Sequence, residues 1–97
     1  MHSWRTVQFF LYHFGVCEVE IDVDTRDTLR CTCPMYKNKS RCNHARWVQM
    51  RMNINNGHYP LQLSSKTLDE NKILQAIKDP KKFREFVLHN TRVEVID

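Results

Sequence analysis

The chain reads as a small α+β domain, and three features predict it. One stretch alternates apolar and acidic residues with a period of two, and others repeat apolar residues at helical spacing. Proline, glycine and asparagine punctuate the boundaries between them. At 97 residues there is length for one domain, 1–97, with a thin core. Only 2 glycines and 3 prolines occur, so no long flexible linker is expected.

In chain order, Arg5 to Phe14 is rich in aromatics and closes on Gly15, which fits a strand ending in a turn. Both of its faces are apolar, so a buried helix fits the same residues. From Val16 to Asp24, Cys17, Val19, Ile21 and Val23 alternate with Glu18, Glu20, Asp22 and Asp24, the pattern of a half-buried strand. Asp24 to Asp27 supplies turn formers, and Thr28 to Cys33 is the returning strand of a hairpin. Pro34 has no amide proton for a ladder and should end it. Met35 to Arg41 reads as a polar, basic loop.

From Asn43 onward, Ala45, Trp47, Val48, Met50, Met52 and Ile54 form a broad apolar stripe on a helix, with Arg46, Gln49 and Asn53 on the wet side. Asn55-Asn56-Gly57 suits a left-handed stop. Further on, Thr67 and Glu70 fit a capping box that opens a helix running to about Lys78, with Leu68, Leu74 and Ile77 inward. Asp79-Pro80 is a fresh cap followed by proline at the first helical position, and Phe83, Phe86 and Val87 make that helix's apolar face. Thr91 to Ile96 alternates enough for a short final strand.

The strongest chemical signal is Cys31-x-Cys33, eight intervening residues, then Cys42-x-His44. Residues two apart on a strand project from one face, so Cys31 and Cys33 can point together. Cys42 and His44 stand at the start of the next helix and close the site from the other side. A structural zinc takes four such ligands in a tetrahedron, at about 2.3 Å to sulfur and about 2.0–2.1 Å to nitrogen. One structural Zn2+ is therefore expected on Cys31, Cys33, Cys42 and His44. Its thiolates must lose their protons, which neighbouring cations ease. Cys17 faces inward with Val19 and Ile21 and reads as plain core. His2, His13, His58 and His89 have no partner at ligand spacing.

These residues also carry a family resemblance. The run Val19-x-Ile21-Asp22, a turn, Cys31-Thr32-Cys33-Pro34, a basic loop and Cys42-Asn43-His44 before an apolar helix resembles the SWIM-type zinc finger, whose motif is C-x-C, a variable gap, then C-x-H. All four ligand positions match, and the resemblance covers Val16 to Met52. It implies a β-hairpin plus helix around one zinc, a core over 16–54, and a module that binds DNA or another protein. Residues 59–97 then form a C-terminal helical extension with no counterpart in that motif.

Net charge is +4, unevenly spread. Thr28 to Leu68 contains no acidic residue and carries Arg30, Lys37, Lys39, Arg41, Arg46, Arg51 and Lys66. Nucleic acid, DNA in preference to RNA, is the expected partner within a larger assembly, touched by Lys37, Lys39, Arg41, Arg46 and Arg51 through counterion release, with Tyr36 stacking on a base. The plainer reading is that these cations offset the site's own negative charge. The competing functional class is a protein-binding adaptor with a purely structural zinc, which would use the C-terminal helices for a partner or for self-association. The acidic residues Glu18 to Asp24 offer a second docking face or solvated edge protection.

Enzymatic activity is not expected, because Cys42 and His44 are committed as ligands and four protein ligands leave no open position on the ion. No apolar run is long enough to span a membrane and no signal peptide is apparent, so the expected setting is intracellular: cytoplasmic if bacterial or viral, nuclear if eukaryotic.

Overall fold

A computed structural model describes residues 3–12, 15–25, 28–62 and 70–96. The elements are β1 (Trp4–Tyr12), β2 (Gly15–Asp22), β3 (Leu29–Cys31), α1 (Pro34–Lys39), α2 (Asn43–Ile54), α3 (Glu70–Ala76) and α4 (Pro80–Asn90). The three strands form one antiparallel sheet in the order β1-β2-β3, so the α+β class predicted above is the one observed.

The aromatic first segment is a strand, and its missing period of two has a cause. Arg5 through Phe10 are all buried, because helices cover both faces of the sheet. Phe9 lies under the Arg84 guanidinium of α4 at 5.4 Å, whereas Phe10, pointing the other way, packs on His44 and Trp47 of α2 with ring centroids 4.7 and 5.4 Å away. A strand sandwiched in this manner reads as continuously apolar. The β1–β2 register shifts between Thr6 and Gln8, which lets a bulge absorb one residue.

Gln8 is fully buried and acts as a polar clamp. Its amide nitrogen donates to the carbonyls of Phe9 (3.0 Å) and Arg92 (2.7 Å), while its oxygen accepts from the Tyr59 hydroxyl (2.6 Å). Residues 91–96 run beside β1, but isolated bridge positions at Thr91 and Glu94, the latter paired in parallel with Phe10, stand where a final strand was expected. The Arg92 amide turns instead to the Gln62 carbonyl, 2.9 Å away, so the ladder stops short.

β2 alternates as expected from Cys17 to Glu20, but it ends at Asp22, which is buried where the pattern put an outward residue, and Val23 falls in the turn. It is the central strand, which removes edge protection as the reason for its acidic side chains. Glu18 accepts from Thr6 Oγ1 (2.6 Å) and pairs with Arg84 (3.0 Å). Glu20 pairs with Arg30 at 2.9 Å. Buried Asp22 accepts from the amides of Ser3 (3.1 Å) and Asp24 (3.0 Å) and so shapes the turn. These carboxylates are occupied inside the molecule and do not present a docking face.

The expected loop after Cys33 contains a helix, α1. Cys33 is extended (φ −71°, ψ 155°) and Pro34 occupies the first turn, so the proline that ends the strand also starts the helix. Ser40, at φ 55°, terminates it. The stripe on α2 is narrower than predicted: His44, Ala45, Val48 and Met52 are buried, while Met50 and Ile54 are 55% and 78% exposed. A sheet ending in a three-residue β3 covers only one side of the helix. Asn56 (φ 57°) and Gly57 (φ 86°) make the left-handed stop, and the Gly57 amide donates to the Met52 carbonyl at 2.7 Å.

Thr67 and Leu68 lie outside the described residues, as do His2 and His13. In α3 it is Ile73 and Ala76 that pack on the core, whereas Leu74 is 60% exposed and Ile77 lies past the helix end, also outward. A seven-residue helix has room for a single inward i, i+3 pair. α4 starts as predicted, the Asp79 carboxylate accepting from the Lys81 and Lys82 amides at 3.0 and 3.5 Å, with Phe83 and Val87 buried.

Candidate metal centre

The sheet face that carries Phe10 builds the site. Val19 pairs with Cys31 across β2 and β3, so alternation places Cys31 and Cys33 on that face. α1 then carries the chain away and back. Cys42, extended at φ −158°, caps α2, its Sγ accepting from the Ala45 amide at 3.4 Å, and His44 follows in the first turn. The donor atoms of Cys31, Cys33, Cys42 and His44 all lie within 4.8 Å of one another, and all four residues are buried. None of the cysteines is in a disulfide. Three soft sulfurs and one imidazole at this spacing can hold one metal ion. They join the sheet edge to a helix start, as the C-x-C…C-x-H pattern predicts.

Burial sets the electrostatics. It pushes the Cys31 thiol well above its ordinary range and raises Cys42 as well, where the Ala45 amide only partly offsets it. It also lowers His44, which keeps the imidazole neutral and available as a ligand. A divalent cation supplies what the apolar surroundings lack, a positive charge that takes the place of the thiol protons.

Cys17 is a feature that sequence reasoning assigned to plain core. It is buried, but its Sγ lies 3.6 Å from His44 Nδ1 and its thiol interacts with that of Cys31. The register could have revealed this: with Val19 opposite Cys31, the next inward position of β2 is Cys17, beside Cys33.

The cations are less uniform than the sequence implied. Lys39, Arg41 and Arg46 converge with Met35, Cys42 and Asn43 around one concavity of about 240 Å3 at the N-terminus of α2. Lys37 is exposed on α1, apart from that group. Arg51 stacks 4.1 Å over the Trp47 ring, and Arg30 lies 4.1 Å over Trp4 while paired with Glu20. Tyr36 is half-buried against the core and donates its hydroxyl proton to the Leu29 carbonyl at 2.6 Å. That bond anchors α1 to β3 and leaves little of the ring for a base. His58 and His89 are exposed.

No described helix is long and apolar enough to cross a membrane. No protein-family model matches the chain, and neither curated proteins nor solved structures give a match, so the SWIM-type resemblance rests on the motif residues and their spacing.

Proposed function

We propose that this chain is a zinc-stapled, SWIM-like module that contacts nucleic acid, DNA in preference to RNA, within a larger assembly. The ion is zinc, held by Cys31, Cys33, Cys42 and His44. Its role is structural, since four protein ligands close the tetrahedron and leave no position for substrate or water. No catalytic step is assigned.

The observation that carries the nucleic-acid reading is the grouping of Lys39, Arg41 and Arg46 around the start of α2. Helix amides and the helix dipole add partial positive charge there, and the first turn contains no acidic residue. Phosphate is the ligand such a place favours. Lys37 on α1 and Arg51 in the last turn of α2 lie away from this group and would add contacts along the phosphate backbone, Arg51 with its guanidinium stacked on Trp47.

Titration of the metal-loaded protein with labelled duplex DNA, single-stranded DNA and RNA at several salt concentrations tests this. Affinity should fall steeply with salt, by a slope of about −0.9 per phosphate neutralised on duplex. Replacing Arg46 or Arg41 with alanine should reduce that slope by about one each. No binding at low salt, or binding indifferent to these substitutions, rules the reading out.

A protein-interaction adaptor with a purely structural zinc is the second reading. The observation that favours it is the outward placement of Leu74, Ile77 and Leu88 on and beside the C-terminal helices. Light scattering would reveal self-association, and Leu74→Glu should abolish it. A monomer at all concentrations, with no partner captured from its source, counts against this reading.

A further inference from the structure

We infer that the apolar cavity lined by Arg5 binds a small carboxylic acid, its carboxylate on the Arg5 guanidinium and its hydrocarbon body against Val7, Ile21, Leu61, Ile73 and Phe83. No donor of the metal centre and none of the cations grouped at the start of α2 lines this cavity, so the inference is independent of both. β1 presents Arg5 opposite Ile21 of β2, which puts a cation at an inward position among apolar neighbours.

Arg5 is only 7% exposed, and no carboxylate pairs with it among the described residues. Its bonds go to neutral acceptors. Nε donates to the Ile77 carbonyl at 2.6 Å, and Nη1 donates to Ser3 Oγ at 2.9 Å and to the Trp4 carbonyl at 3.0 Å. They fix the guanidinium and tie the chain just past α3 to β1, but none supplies a countercharge. Nη2 has no partner among the described residues. No buried side-chain nitrogen or oxygen is left unpaired there, so Nη2 is accessible rather than sealed in. A largely buried cation without a countercharge is costly, and an anion that reaches it relieves the cost.

The cavity holds about 250 Å3, and no aspartate or glutamate lines it. Gly57 and His58, both exposed, stand at its rim. An apolar cavity of about 150 Å3 takes benzene, so this one takes a ring or a short chain together with its acid group. Inorganic phosphate is a poor match, because apolar walls would strip its hydration and return a single donor group. A carboxylate can accept a charge-assisted bond from Nη2, and burial of the hydrocarbon body supplies the rest.

Calorimetric titration of the purified protein at neutral pH with hexanoate and benzoate, and with hexanol and benzyl alcohol as their uncharged counterparts, tests the inference. Each acid should bind one equivalent, about tenfold or more tighter than its alcohol. Binding should shift the methyl NMR signals of Ile21, Leu61 and Ile73 and leave those of Val48 in place. Arg5→Met should remove the preference for acid, and Ile73→Phe, which fills the cavity and keeps Arg5, should abolish binding of acid and alcohol alike. No saturable binding of either acid at millimolar concentration overturns the proposal. So do equal affinities for acid and alcohol, a preference that persists in Arg5→Met, or binding that survives Ile73→Phe. Should Arg5→Met not fold, the acid-to-alcohol ratio and the methyl shifts of the wild type decide the matter.

Discussion

Removing the ion should unfold one part of this molecule and spare another. A domain of this length is stable by about 5–15 kcal/mol in total, and a structural zinc site contributes about 10–16 kcal/mol. The metal term is therefore as large as the whole margin. The local balance tells the same story. Within α2, Val48 and Met52 are the fully buried apolar side chains besides the small Ala45, worth about 1.5–3 kcal/mol each. Ordering the 12 residues of that helix costs about 1–2 kcal/mol apiece in backbone entropy. Helix hydrogen bonds and the Phe10–Trp47 contact recover only part of the difference, and β3 brings just three paired residues. β1, β2 and α4 keep Phe9, Phe83 and Val87 between them. Hydrogen exchange read by mass spectrometry, before and after chelation, is the assay. Residues 28–54 should exchange like an open chain, while 4–12 and 80–90 retain protection. Protection over 28–54 that stays within about threefold of the loaded protein, with metal loss verified, would refute this reasoning.

Other perturbations have defined outcomes. Burial raises the Cys31 and Cys42 thiols in the metal-free protein, so at neutral pH the ion must expel both protons. Metal affinity should therefore drop by at least about 100-fold per unit as pH falls through neutrality, counting these two protons alone, with no contribution from His44, whose lowered pKa keeps it neutral there. A chelator competition that shows no pH dependence would contradict this. Gln8→Leu orphans the buried Tyr59 hydroxyl and the Arg92 carbonyl and should cost about 2–5 kcal/mol in urea denaturation of the loaded protein. Adding Tyr59→Phe should restore part of that loss, and strict additivity would argue against the clamp. Gly57→Ala meets no atom within 4 Å but inherits φ 86°, so about 1–2 kcal/mol of backbone strain is expected, read as a lowered urea midpoint. Arg84→Ala removes a pair whose side chains are 49% and 17% exposed. Solvent screens it, and the loss should be about 1 kcal/mol or less, shrinking as salt is added.

Much of the fold could be read from local chemistry. The alternation from Cys17 to Glu20, the Asn55-Asn56-Gly57 stop and the Asp79-Pro80 start each depend on a few neighbouring residues, and the structure has each of them. The helix at Pro34 is not legible in the sequence because its six residues bury none fully and only Tyr36 packs partly on the core, too few to show an apolar period. The sequence places Leu74 inward, since nothing in a short amphipathic stretch tells which of two neighbouring stripes meets the core. Ile73 and Ala76 do so because α4, not the helix's own sequence, sets the angle of approach.

Residue type and spacing alone determined the α+β class and the four donors Cys31, Cys33, Cys42 and His44, because ligand pairs two apart are local objects whose geometry follows from a strand end and a helix start. Tertiary structure alone decided that β2 lies at the centre of the sheet, that Glu18 and Glu20 are spent on Arg84 and Arg30, and that Cys17 reaches His44. Those facts depend on strand order, register and the seating of helices on both faces. Such relations join residues distant in sequence, and packing of the whole chain selects them, so no window along the chain contains them.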